Sequence, residues 1–239
     1  SPIVSGNKVI VTSQAGFAPL RPGSHPALAG GAIDGADQPL GGSRQDGAGG
    51  VRFLIEAFDR ASGSTLWTHT VTARGPLQPV HQKANLASSS PVTDGERVYA
   101  VFGTGQIVAL TMDGNEVWSR HLGEEYGPFA IVWGHSSSPV VYQDLLILQC
   151  DHSSATHVEQ ASGAYLVALD TRTGQERWKV ERGPGLFSYS TPFVVPGPDG
   201  DELVVNSSQR LDAYDPGTGE YLWHTGGPNA FPVPVATYG

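Results

Sequence analysis

A chain of 239 residues with 39% hydrophobic content can bury a full core, so disorder along its whole length is excluded. Its 31 glycines and 18 prolines break the chain too often for an all-α fold. With 14 Lys and Arg against 23 Asp and Glu, the net charge of −9 offers no basic surface to nucleic acid, and no 18-residue apolar run offers a membrane span.

In chain order, Ser1-Pro2 opens a short apolar strand. Residues 17–50 are dense in Gly, Ala and Pro, and they read as an insertion of low order between a second and a third strand, or as a ligand-contacting flap. The motif AFDRASGSTLW follows at 57–67. Ser90-Pro91 opens the next unit, with strands expected over 98–102 and 106–110 and the motif ALTMDGNEVW at 109–118. Ser138-Pro139 opens a third, with strands over 145–148 and 165–169, an insertion at 151–162, and ALDTRTGQERW at 168–178. Thr191-Pro192 opens a fourth, which carries AYDPGTGEYLW at 213–223. Residues 231–239 resemble one more opening strand.

These segments are copies of one repeat. Trp67, Trp118, Trp178 and Trp223 each follow Gly63, Gly114, Gly174 and Gly219 by four positions, and they recur at intervals of 51, 60 and 45 residues. That spacing suits a unit of four short strands, the blade of a β-propeller. Asp59, Asp170 and Asp215 can bind backbone amides two residues on, and the glycines supply the positive φ of a tight turn. The second copy departs, with Thr111 at the Asp position and a turn one residue shorter. The tryptophans are expected to pack between adjacent blades, because one blade cannot bury both of its faces alone. The fold expected is therefore an all-β propeller forming one domain over 1–239. Its blades fall at about 1–71, 89–122, 137–183 and 190–227, with the start of another at 231–239: part of a ring of seven or eight blades, with a closed ring of four or five as the alternative.

Three segments just before opening strands carry polar and aromatic groups: His81 and Asn85, Trp133 and His135, and Tyr189. If opening strands line a central channel, these five residues gather at its mouth, where a ligand or partner would bind; packing between blades is the competing role. Asp151, His152, His157 and Glu159 are metal-type ligands without a helix to hold them, and no metal site is expected from them. The lone Cys150 permits no internal disulfide. No Gly-x-Ser-x-Gly turn occurs, and Glu124-Glu125 reads as a solvated loop, so no catalytic residue is assigned.

The stretches SPVTDGERVY at 90–99 and ALDTRTGQERW at 168–178 resemble the repeat of the PQQ-like β-propeller family. That family includes quinoprotein dehydrogenases, which bind pyrroloquinoline quinone (PQQ) with calcium, and cofactor-free propellers of the BamB type, an outer-membrane protein assembly factor. Alcohol-oxidising members share an adjacent cysteine pair that the single Cys150 cannot supply. The resemblance thus implies the BamB-like branch. It would be a non-catalytic scaffold of the bacterial cell envelope, periplasmic or secreted, with no cofactor and with protein partners or a small ligand at the channel mouth. The alternative it leaves is part of a PQQ- and calcium-dependent dehydrogenase.

Overall fold

The structure is a computed structural model and describes residues 2–16, 18, 50–78, 80, 84–129, 131, 134–152, 163–183, 186–208 and 210–226. Sixteen strands within these residues form four antiparallel sheets in simple up-and-down order. Blade 1 holds β1 (Ile3–Ser5), β2 (Lys8–Ala15), β3 (Arg52–Asp59) and β4 (Thr65–Thr72). Blade 2 holds β5 (Val92–Thr93), β6 (Arg97–Val101), β7 (Gln106–Thr111) and β8 (Glu116–His121), followed by the one-turn helix α1 (Leu122–Glu125). Blade 3 holds β9 (Val140–Tyr142), β10 (Leu145–Asp151), β11 (Ala164–Asp170) and β12 (Glu176–Gly183). Blade 4 holds β13 (Phe193–Pro196), β14 (Asp201–Ser207), β15 (Arg210–Tyr214) and β16 (Tyr221–Gly226). The fold is a β-propeller, and the expected opening strand at 231–239 lies outside the described residues.

Each first strand starts directly after the proline of its Ser-Pro or Thr-Pro pair, where a missing N–H breaks no ladder bond. The serines join neighbouring blades. Ser90 N donates to Ser138 Oγ at 2.9 Å, Ser138 N donates to Thr191 Oγ1 at 3.0 Å, and Ser89 Oγ donates to Ser137 O at 2.9 Å. One side chain and one amide per blade thus tie the short first strands into an inner chain of hydrogen bonds.

Three hydrophobic cores lie in the seams between blades. Ile10, Phe53 and Ile55 of blade 1 meet Ala100, Phe102 and Val108 of blade 2. Val101 and Ile107 of blade 2 meet Leu146, Leu148 and Cys150 of blade 3, and Leu145 and Ile147 of blade 3 meet Leu203 and Val205 of blade 4. Because a middle blade packs on both sides, β10 and β11 are buried at every position, which explains why their sequences run nearly unbroken in apolar residues. β3 packs one face and alternates instead.

The repeat motif closes the outer part of every seam. Asp170 Oδ1 accepts from the amides of Arg172 and Thr173, both at 3.0 Å, and Asp59 and Asp215 make the equivalent pairs in their own turns. In blade 2, Thr111 Oγ1 takes this place, accepting from Asp113 and Asn115. Trp67, Trp118 and Trp178 then lie on the turn of the following blade. A Cβ added to Gly114, Gly174 or Gly219 would stand 2.7 Å from the ring of Trp67, Trp118 or Trp178 respectively. The indole N–H donates to a backbone carbonyl in the same turn: Trp67 to Met112 O at 3.0 Å, Trp118 to Thr171 O at 3.0 Å and Trp178 to Pro216 O at 3.2 Å. Trp223 Nε1 instead reaches Glu202 Oε2 of its own blade at 2.9 Å.

Gly63 and Gly174 share a positive φ, at 73° and 71°, but nothing lies within 4 Å of a Cβ added at Gly63. Alanine at either position carries the left-handed strain of ~1 to 2 kcal/mol, and only Gly174→Ala also collides with an indole. Urea unfolding is therefore expected to show Gly174→Ala losing ~1 to 3 kcal/mol more than Gly63→Ala. Trp118→Ala should lose ~3 to 5 kcal/mol in the same assay.

Candidate functional site

Antiparallel up-and-down order sends alternate connections to opposite ends of the blades. One end carries only tight turns: the hairpins after the first strands and the Asp-to-Gly turns after the third. The other end receives the connections from Ala15 to Arg52 and from Asp151 to Ala164, and every link between blades. Of the positions named from sequence for the channel mouth, Asn85, His135 and Tyr189 lie at this second end, the loop face. His81 and Trp133 lie outside the described residues, as do His157, Glu159 and nearly all of both insertions.

The three described candidates sit in the lead-in segments of successive blades. Asn85 is exposed and braces its own turn, with Oδ1 accepting from Ala87 N at 2.8 Å. His135 and Tyr189 are buried, at 3% and 6% exposure, and are joined through Ser136 Oγ, which donates to Tyr189 O at 3.3 Å. The structure thus bonds the residue next to His135 to the Tyr189 backbone and leaves Asn85 one blade earlier.

His135 has a partner that its sequence position does not suggest. Its Nδ1 lies 3.0 Å from Nε2 of His152, at the end of β10, and Phe129 packs on both rings with centroids 5.0 and 4.3 Å away. Burial in this apolar setting holds the His135 imidazole down to about pKa 4, partly offset by the backbone at Ser137. Burial, and then the neighbouring His135, push His152 well below the ordinary histidine value. Both rings are therefore neutral at neutral pH.

On the other face of the same strand end stands a buried ionic cluster. Arg182 bridges the carboxylates of Asp151 and Asp212, donates from Nη1 to Ser207 Oγ at 2.8 Å, and donates from Nε to Tyr214 OH at 3.0 Å. All three charged side chains have 0% exposure. Arg210 also binds Asp212, and Gln149 Nε2 donates to Asp151 Oδ2 at 2.8 Å and to Asn206 O at 3.0 Å. Asp151 Oδ2 collects every donor, while among the described residues Oδ1 and the neighbouring Gln149 Oε1 have none.

The repeat shows how unusual this cluster is. Aligned on Trp and its partner Ala, Arg182 occupies the place of Leu122 in blade 2, Asp212 that of Val167 in blade 3, and Asp151 that of Gly103 in blade 2. One seam is thus apolar where the next is ionic. The signal was present in the sequence as charge where the preceding seam carries Leu122, Val167 and Gly103. Two charges from blade 3 and one from blade 4 meet there, so neither blade read singly shows the cluster.

As a cofactor site these residues are already engaged: a calcium ion at Asp151 or Asp212 would have to displace the Arg182 guanidinium. Among the described residues, no three His, Cys, Asp or Glu side chains converge on a metal position. The Cys150 thiol is buried against Leu146 and Leu148 and its pKa is raised by desolvation, so it packs as a small apolar residue.

A family profile described as outer membrane protein assembly factor BamB matches residues 52–230. No curated protein matches the sequence. Among solved structures, BamB from Moraxella catarrhalis is 19% identical with a TM-score of 0.49, and the alignment covers 94% of this chain and 50% of that one. A europium-containing methanol dehydrogenase is 15% identical with a TM-score of 0.55, covering 93% of this chain and 40% of the other. The quinohemoprotein alcohol dehydrogenase ADHIIG from Pseudomonas putida HK5 is 14% identical with a TM-score of 0.49, covering 74% and 32%. The chain therefore spans half or less of each of these structures.

Two stability measurements test this site. An unfolded histidine takes up a proton near pH 6.5 and folded His135 resists until about pH 4, so its contribution is complete above pH 6.5 and is lost as the pH falls toward 4. The loss expected from His135 across that window is ~3 kcal/mol, and His135→Gln should remove that share while leaving the part that buried His152 contributes. Arg182→Leu alone strands two buried carboxylates and should lose ~3 to 5 kcal/mol, whereas adding Asp151→Ala and Asp212→Val should restore most of it.

Proposed function

Because the chain belongs to the family of the outer membrane protein assembly factor BamB, we propose that it is a non-catalytic β-propeller scaffold of the bacterial cell envelope, binding protein partners on its loop face. The observation that carries this reading is the asymmetry between the two ends of the blades. The turn face is built from tight turns closed by their own Asp or Thr side chains, and it has little freedom to vary. The loop face receives both long connections, on strands fixed by the seams beneath, which is how a scaffold varies its contacts without disturbing its core. His135, His152 and Arg182 support the same reading, since each is buried and bonded within the framework rather than offered to a substrate. The reading places the protein in the periplasm, and no helix among the described residues is long and apolar enough to cross a membrane.

Two experiments test it on the full chain. Calorimetric titration with PQQ and calcium, followed by dye-linked alcohol oxidation, is expected to give neither saturable heat nor turnover; tight binding with turnover would overturn the scaffold role. A photo-crosslinker at exposed Asn85, on the loop face, is expected to trap discrete envelope proteins in cells, and one at exposed Arg172, on the turn face, is not. Equal labelling from both positions would remove the assignment of the partner surface to the loop face.

A further inference from the structure

Every seam between blades joins the same repeat positions. On the face that a blade turns to its predecessor, a second-strand residue pairs with a third-strand residue: Val98 with Leu110 in blade 2, Leu146 with Leu169 in blade 3, and Leu203 with Tyr214 in blade 4. All six are at most 3% exposed. The equivalent pair in blade 1 is Val9 with Phe58, and both are only half-buried. Val4 is 56% exposed, whereas its counterparts Val141 and Val194 pack into seams. Blade 1 thus carries the receiving face of a seam, with the indole's place at Gly63 unfilled.

Blade 4 carries the other half of the contact. Trp223 is 37% exposed, against 9% for Trp118 and Trp178, and its N–H is held by Glu202 of its own blade. In the three seams the indole N–H goes to the carbonyl of the residue after the turn's capping side chain, Met112, Thr171 or Pro216, and in blade 1 that residue is Arg60. Charge matches as well. Lys8, just before Val9, crosses to the turn of blade 2, where Nζ donates to Met112 O at 2.6 Å and to Asp113 Oδ1 at 3.0 Å. Glu202 holds the same place before Leu203, and exposed Arg60 has no ion pair among the described residues. Glu202 and Arg60 reverse the signs of Lys8 and Asp113 and remain complementary.

We infer that two copies of this chain assemble head to tail, blade 4 of each docking on blade 1 of the other. Trp223 lies on Gly63 of the second copy and donates to Arg60 O, and Glu202, released from the indole, pairs with the Arg60 guanidinium. Both half-contacts belong to one chain, so a second copy fills both at once and leaves neither exposed. Two copies give eight blades, the top of the usual propeller range, and three would exceed it. The assembly does not depend on the scaffold role.

Sedimentation equilibrium of the full chain is expected to give twice the chain mass. Trp223→Ala and Gly63→Ala should each dissociate the pair, since a Cβ at Gly63 meets nothing within its own chain and meets an indole only across the contact. Glu202→Arg and Arg60→Glu should each weaken the dimer about tenfold, because two copies hold that ion pair twice, and a chain carrying both should regain the original affinity. Neither charge reversal should move the urea midpoint of the dilute, dissociated chain. The inference is overturned by a monomer at every concentration, which would give the two faces another occupant, or by a larger open assembly. It is equally overturned by a dimer that survives Trp223→Ala or Gly63→Ala, or by charge reversals that have no effect or do not rescue each other.

Discussion

The indole laid on the next blade's glycine is the contact on which this architecture depends. A four-stranded sheet with two apolar faces has no stable existence alone, and its neighbour must meet it at one spacing and one register. Trp67, Trp118 and Trp178 fix both. The ring stacks where any Cβ would collide, and its N–H reaches a carbonyl in the same turn, so the turn can neither slide nor rotate. Glycine is required there twice over, for a positive φ and for the bare surface the ring rests on. The Asp side chain that ties up the turn amides holds that surface in shape.

With the outer seam fixed by the docked ring and the first strands linked by serine and threonine hydroxyls, the loop-face end of each seam is released from defining the fold. Variation collects at that end. At one repeat position the protein carries Leu122, fully buried in hydrocarbon; Arg182, held by two carboxylates; and Val71, half-buried against the core between blades 1 and 2. A buried ion pair contributes little net stability over an apolar filling of the same shape. The ionic seam between blades 3 and 4, with the neutral His135–His152 pair on the reverse of the same strand end, is therefore better explained by specificity of fit beneath the loop face than by stability.

Much of this was legible in the residues. The recurrence of Trp four positions after Gly, and of Ser-Pro or Thr-Pro ahead of each unit, identified four blades, and the strands observed overlap the apolar runs read from sequence. The substitution of Thr111 for Asp in the second turn was visible, and the structure shows its hydroxyl performing the same capping. The site was less legible. Asn85, His135 and Tyr189 were singled out by their position before a strand, yet position does not report depth: Asn85 is exposed while His135 and Tyr189 are buried. Phe129, His152 and Arg182 reach their partners from other strands or other blades, contacts that no local pattern encodes.

The sequence by itself determined the repeat, the turn chemistry and the all-β propeller, because each rests on residues within a dozen positions of one another, where spacing translates directly into geometry. Only the tertiary structure decided which blade each tryptophan packs against, and that Asp151, Arg182 and Asp212 share one buried seam. Those outcomes depend on how two faces distant in the chain fill the volume between them, and that volume exists only once the blades have packed.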